Sequence, residues 1–494
     1  MTQQFSDNDL VFVSAALGQG DLFLTRLEGR EALSNLFEFD LIVETTFNGA
    51  LDFEQVDDMF GLPAYIAFGH EEQHKIHGVV RSVDMLASAD AGNRVAYRVV
   101  LVPRLWYATQ TIGTWAYQDM SVPEVIKDVL GESGLNDGDD YELRLTGSYR
   151  KREWISQHEE SDFDFISRLM EHEGIFYFFE HTDTVDKLII SDGNTAFLEL
   201  EGHEGIRYDP RTGVTDPGEV VLAISRHREI TPATVFLKDY NYRTPSIDLF
   251  TGVEIDATGK GTQIHYGDHF KDISEGKKLA KIRAQEIYVP RETYNGRSRV
   301  RGLRTGHKFA LAEHPIPAMD QAFIVTELRH SATQQSNANA VEGAGYTNEF
   351  VLIPLRIPFR PRRVTPKPRI AGFMNAKIDG AASADGTAPV DETGRYKVSL
   401  IADNTSVTRN GGGSVSHWVR MAQPFSGDNY GMHFPLHVGT EVLIAFVNGD
   451  PDRPVIAASI PNAENQSPIG TQNAQVNRIR TRSGIMMGFH DRKE

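Results

Sequence analysis

Apolar residues recur along this chain at two spacings. The shorter is an alternation of two: Tyr396, Val398 and Leu400 are separated by Lys397 and Ser399, the period of a strand buried on one side. Phe37 to Val43 and Ala322 to Leu328 read the same way. The longer spacing marks three helices. Ser121-Val-Pro-Glu124 is a capping box, followed by Val122, Val125, Ile126, Val129 and Leu130 on one face, with Gly131 as the expected stop. Ser161-Asp-Phe-Asp164 opens a second helix with Phe163, Ile166, Leu169 and Met170 on one side and Gly174 at its end; Ile175 to Phe179 then reads as a strand. A third, more charged helix lies between Phe270 and Pro290, with Leu279, Ile282 and Ile287 inward. The expected class is α+β, mainly β, with helical inserts in antiparallel sheets.

Beyond residue 370 the helical spacing disappears. In the segment Val442, Leu443, Ile444, Ala445, Phe446, Val447 both alternating sets are apolar, so both faces need covering. A small barrel covers one face with its own interior; a neighbouring subunit is the simplest cover for the other. These six residues are the candidate trimer interface, with the face left open. Gly449-Asp-Pro-Asp-Arg-Pro454 is a turn by composition, and Val455 to Ile460 a further strand. Length and strand count predict a five-stranded barrel of the oligonucleotide/oligosaccharide-binding (OB) type. Upstream, 351–370 carries five prolines and six basic residues with no acid, the composition of a stiff linker. Arg356, Arg360, Arg362 and Arg363 are candidates for touching an acidic surface on a neighbouring subunit. The expected organisation is 1–350, a large domain of barrel-like subdomains with helices; 351–370, linker; 371–461, OB barrel; 462–494, a neck. There, Arg478, Arg480 and Arg482 alternate with Ile479 and Thr481.

Several stretches resemble one family closely. They are Gly394-Arg395 with Val398, Trp418-Val419-Arg420 with Gln423-Pro424, Gly439 with Glu441-Val442-Leu443, and Gly449 to Pro454. Gln157 to Glu180 and Leu101 to Trp106 agree independently. Together they are similar to the VgrG (valine-glycine repeat) spike proteins of type VI secretion, related to the hub and spike of contractile phage tails. One departure is Leu436-His437, where the family usually carries Pro-Arg. The resemblance implies a tube-capping hub like that of phages, an OB barrel, and the start of a trimeric β-helix needle after Gln475. It implies a homotrimer that meets an inner-tube protein ring, baseplate proteins, a tip cap of the proline-alanine-alanine-arginine family and possible docked effectors. It also implies assembly in the cytoplasm and export by the contractile machine. A phage tail or an extracellular injection particle would share the same hub and barrel.

Composition narrows the chemistry. A formal net charge of −18 argues against nucleic acid, which needs clustered Lys and Arg. Cysteine is absent, which removes disulfides and thiolate chemistry. No apolar run is long enough for a membrane helix, and the first ten residues lack the basic and apolar regions of a signal peptide. His70-Glu71-Glu72-Gln73-His74 matches the zinc-peptidase signature. That chemistry needs both histidines on one helical face with Glu71 as base, whereas the flanks read as strands and the motif as a polar hairpin tip. Gly411 to Ser414 lacks the strand and lysine of a phosphate loop, and Asp139-Asp140 reads as a solvated turn. No catalytic, cofactor or metal site is expected, and no enzyme activity.

Overall fold

The computed structural model describes residues 10–490 except 19, 47–48, 69–73, 87–93, 201–204, 212–217, 335–344 and 404–415. The chain divides into two compact units. One holds residues up to 111, then 122–149 and 162–366; the other holds 112–121, 150–161 and everything from 367 onward. The chain therefore passes between units five times.

The first unit is built on a thirteen-stranded sheet. At its centre lie β1 (Leu22–Ala32), β2 (Ala322–Thr333) and β3 (Gly345–Pro354), paired antiparallel in that order. Leu22, Leu24 and Leu27 turn inward from β1; the three-residue step from Leu24 to Leu27 falls at a bulge between Leu24 and Arg26, which shifts the alternation by one. β3 ends at Pro354, four residues inside the stretch expected to be linker. Two small sheets flank the large one. Asp186–Ser191 pairs antiparallel with Phe176–His181 and parallel with Tyr141–Arg144. Thr234–Asp239 pairs antiparallel with Leu249–Glu254 and parallel with Thr262–Tyr266.

Among the described residues the three long helices of this unit are α1 (Val122–Glu132), α2 (Asp162–Glu173) and α3 (Ile273–Tyr288), beside one short helix at Phe53–Asp57. The five apolar positions read for α1 are all buried. Its stop is not Gly131, which lies within the helix; Gly134 takes φ +80 and Leu135 N–H donates to Leu130 O at 3.0 Å. Only the later glycine adopts the left-handed conformation that closes a Schellman turn. In α2, Phe163 is half-buried and Phe165 takes the core position. Gly174 ends that helix at φ +71. α3 starts on Asp272, whose carboxylate accepts from Glu275 N–H, and buries Leu279, Ala280 and Ile282 against Val235, Leu237 and Leu249.

The second unit centres on a closed barrel of β4 (Phe373–Asp379), β5 (Tyr396–Leu400), β6 (Ser416–Met421), β7 (Glu441–Phe446) and β8 (Pro454–Ser459), in the order β4-β5-β6-β8-β7. β6 and β8 run parallel and the other pairs antiparallel. Ala376, Ile378, Tyr396, Val398, Val419, Val442, Ile444 and Ile456 fill it. A two-stranded antiparallel sheet of Ile112–Tyr117 with Ile155–Ser161 belongs to this unit, although its sequence lies within the expected hub. Trp154 stacks on His417 with ring centroids 4.7 Å apart, and Ser156 N–H donates to Asp452 at 2.8 Å. A terminal hairpin, β9 (Val476–Arg480) with β10 (Met486–His490), completes the described chain.

Candidate assembly surfaces

The barrel wall decides which face of β7 is available. Val442 and Ile444 are fully buried and Phe446 is 8% exposed, all in the barrel core. That face of β7 is spent on the barrel's own core. Leu443 and Ala445 point outward and are half-buried, and Val447 just past the strand is 40% exposed. Register places Leu443 beside Asn375 and Ala458, and Ala445 beside Phe373 and Val455. Phe373 is itself 58% exposed. The outer wall thus carries an apolar strip across three strands.

The terminal hairpin has the same character with less cover. Ile479, Ile485, Met486, Met487 and Phe489 are all exposed, Ile485 at 72%. A two-stranded hairpin is marginal by itself in water, and its exposed apolar side chains are contiguous along it.

The basic run is placed differently from expectation. Arg356 donates to Glu292 at 2.9 Å and to Gln321 at 2.6 Å. Arg360 donates to Gln285 and to the carbonyls of Gly174 and Asp192, at 2.6–2.8 Å. Arg363 pairs with Asp268 and Glu286 at 3.3 and 3.4 Å. These three bond the stretch to its own unit; Arg362 alone of the four is exposed without such a bond among the described residues. Burial pushes the Arg360 guanidinium down, with Asp192 opposing. The stretch therefore lies bonded along its own unit for most of its length, and Lys367 continues the pattern in the second unit, with Asp450 at 2.6 Å and Asp452 at 2.7 Å.

Two further expectations concern chemistry. Asp140 is not solvated: it is 8% exposed and accepts from Arg104 at 2.6 Å, while Arg104 also reaches Asp186 at 2.8 Å. Burial opposes ionisation of Asp140, but the Asn136 backbone and Arg104 outweigh it and hold the carboxyl below its ordinary range. Of the zinc-peptidase signature, His70 and Glu71 lie outside the described residues, as does the Gly411 to Ser414 loop. His74 opens the strand His74–Leu86 and faces Phe68 of Pro63–Phe68 in an antiparallel ladder.

Residues 30–336 match the family described as phage tail baseplate hub (GPD). Residues 390–460 match the type VI secretion system/phage-baseplate injector OB domain. The molecule is thus of the class that joins a baseplate hub to an injector barrel. The chain belongs to the VgrG spike family: it is 31% identical to the type VI secretion system spike proteins VgrG1c and VgrG1a of Pseudomonas aeruginosa, in each case over 93% of its length. It spans 62% of the former and 70% of the latter. It is also 29% identical, over 90% of its length, to the actin cross-linking toxin VgrG1 of Vibrio cholerae, of which it spans 41%. Among solved structures, the Escherichia coli c3393 protein is described as a type VI secretion component resembling the T4 tail proteins gp27 and gp5. It superposes with a TM-score of 0.66 at 23% identity, over 91% of this chain and 99% of that one. A chain of the Francisella PdpA–VgrG complex does so at 0.63 and 12%, over 97% and 74%. Both likenesses speak to the fold.

Proposed function

We propose that this chain is the hub and barrel of a homotrimeric spike on the front of a contractile secretion tube. The observation that carries this reading is the apolar outer strip of the barrel, continued by the bare hairpin β9–β10. The chain itself covers neither, and a ring of three copies closes both by threefold symmetry. The two small sheets, each with one antiparallel and one parallel neighbour, support a hub that offers similar modules twice per chain, six in a trimer, toward an inner-tube ring. The work is mechanical. Sheath contraction supplies it, and the spike breaks no bond; the signature at His70 to His74 sits on a strand ladder at its described end. Baseplate proteins, a tip cap of the proline-alanine-alanine-arginine family and docked effectors are the partners that follow, with assembly in the cytoplasm and export by the machine. The curated relatives are named as type VI spike proteins, which favours secretion over a phage tail or an extracellular particle.

The test is mass in solution. The wild-type chain should sediment at three times its 55.1 kDa. Leu443→Asp, which adds a charge to the outer strip and leaves the core intact, should shift it toward monomer. Persistence of the trimer in that variant, with β9–β10 also removed, would place the seam elsewhere.

A further inference from the structure

The middle of the hub sheet holds a chain of buried polar groups that the assembly reading does not use. Glu31 stands on β1, His330 on β2, and Tyr346 and Asn348 on β3; Ser298 ends the strand Glu292–Ser298 beside β3. All five are buried, none above 8% exposed. Ser298 Oγ–H donates to Asn348 Oδ1 at 2.6 Å, and Asn348 Nδ2–H donates to Tyr346 Oη at 3.1 Å. Tyr346 Oη lies 2.7 Å from His330 Nδ1, and His330 Nε2 lies 2.7 Å from Glu31 Oε1. Thr305 Oγ1–H donates to the other Glu31 oxygen at 3.3 Å.

These contacts admit one ordering of protons. Glu31 as a carboxylate accepts only, so His330 carries its proton on Nε2. Its Nδ1 is then an acceptor, and the Tyr346 hydroxyl donates to it. Every donor points toward Glu31. The balancing charge is Arg304, itself 5% exposed, whose guanidinium lies over the Phe68 ring at 5.3 Å. Phe39 and Phe68 flank His330 with ring centroids at 5.2 and 6.1 Å, which shuts out water.

We propose that this ordered chain is an acid-operated latch: it fastens three central strands of the hub together at neutral pH, and one added proton unfastens it. A second proton on His330 fills Nδ1. Nδ1 then becomes a donor facing Tyr346, and the Tyr346 hydroxyl loses its acceptor in a dry site, where an unmet polar group is costly. A proton on Glu31 leaves one of its oxygens able to accept from His330 Nε2–H, and weakens that bond by removing the negative charge. The hub sheet therefore weakens in acid.

The surroundings set the pH range. Burial lowers His330, with Glu31 opposing and Arg304 assisting. Burial opposes ionisation of Glu31, but the hydrogen bond from His330 and the Arg304 charge outweigh it and hold the carboxyl at about 2. His181, which faces Glu31, Arg304, His77 and His307, is pushed down by burial to about 3. His307, beside Arg304 and Glu31, is pushed to about 4. Burial raises Tyr346, with Arg304, Glu31 and Glu219 nearby. Histidines whose folded values lie below the unfolded value add stability above about pH 6.5 and lose it as pH falls toward their folded values; Glu31 continues the loss below about 4.5.

The test compares the full-length protein with His330→Gln, which keeps an acceptor and a donor but cannot take a proton. Urea unfolding is followed from pH 7.5 to 4.5. The wild-type unfolding constant should rise as pH falls. The variant should rise less steeply, by up to tenfold per pH unit for the one proton no longer taken up. His181 and His307 leave part of the slope in place. Tyr346→Phe, which removes the hydroxyl that loses its acceptor, should also flatten the slope, and it serves alone should His330→Gln not fold. Slopes equal to wild type in the variants that fold would overturn the latch.

Discussion

Asp452 shows how far apart in sequence a single side chain can gather its donors. Its carboxylate takes the Ser156 N–H, 296 residues away, and the Lys367 ammonium, 85 residues away. Hydrogen bonds to a charged group are worth about 1.5–3 kcal/mol each. Asp452→Ala is therefore expected to destabilise the second unit by about 2–4 kcal/mol, read as a lower urea midpoint with an unchanged slope. Loss of less than about 1 kcal/mol would mean that Lys367 and Ser156 are held well enough by others. Residues of this kind were the least legible in the sequence. Asp450-Pro-Asp452 announces a turn, but nothing in it names Ser156. Asp140 sits among glycines and acids and reads as solvated, because Arg104 is 36 residues away. The Glu31–His330–Tyr346 chain left no signal at all, since each member lies on a different strand, far from the others in sequence.

At the scale of elements the sequence was more telling, and its errors were of position. The face of α1 was correct at every apolar residue, because a 3.6-residue period is local. Its end was misplaced by three residues, because two glycines stood close together and only a backbone angle distinguishes them. A direct contrast follows. Gly131 lies within the helix with open space around an added Cβ, so Gly131→Ala should raise stability by about 0.5–1 kcal/mol. Gly134 has open space too, but at φ +80, so Gly134→Ala should lower it by about 1 kcal/mol. Thermal melts of the two single variants should move in opposite directions. β7 poses the opposite problem. Its six residues are apolar on both sides, so alternation locates the strand and leaves its inward face undetermined until the register with β4 and β8 is known.

For the whole molecule, the fold class was readable from patterns of period two and 3.6, and the five-strand barrel from its turns and length. The composition of each unit was not readable, because the strand pair at 112–121 and 150–161 lies far in sequence from the barrel it clusters with. The described barrel strands alone should accordingly make a poor protein. A fragment of residues 367–494 is expected to melt well below the second unit of the intact chain and to bind a hydrophobic dye. Supplying 112–121 and 150–161 on a tether should recover much of the difference. Equal melting temperatures with and without them would show the strand pair to be dispensable.

The five passages of the chain between its units also bear on how such molecules can be recombined. A gene break just before residue 367, where the barrel begins, leaves the barrel without the strands at 112–121 and 150–161 and the upstream piece with both of them stray, so simple cut-and-paste hybrids start at a disadvantage. A working chimera must exchange three separate coding stretches together. Variety in this architecture is therefore easier to add after the last described strand than to insert by trading barrels.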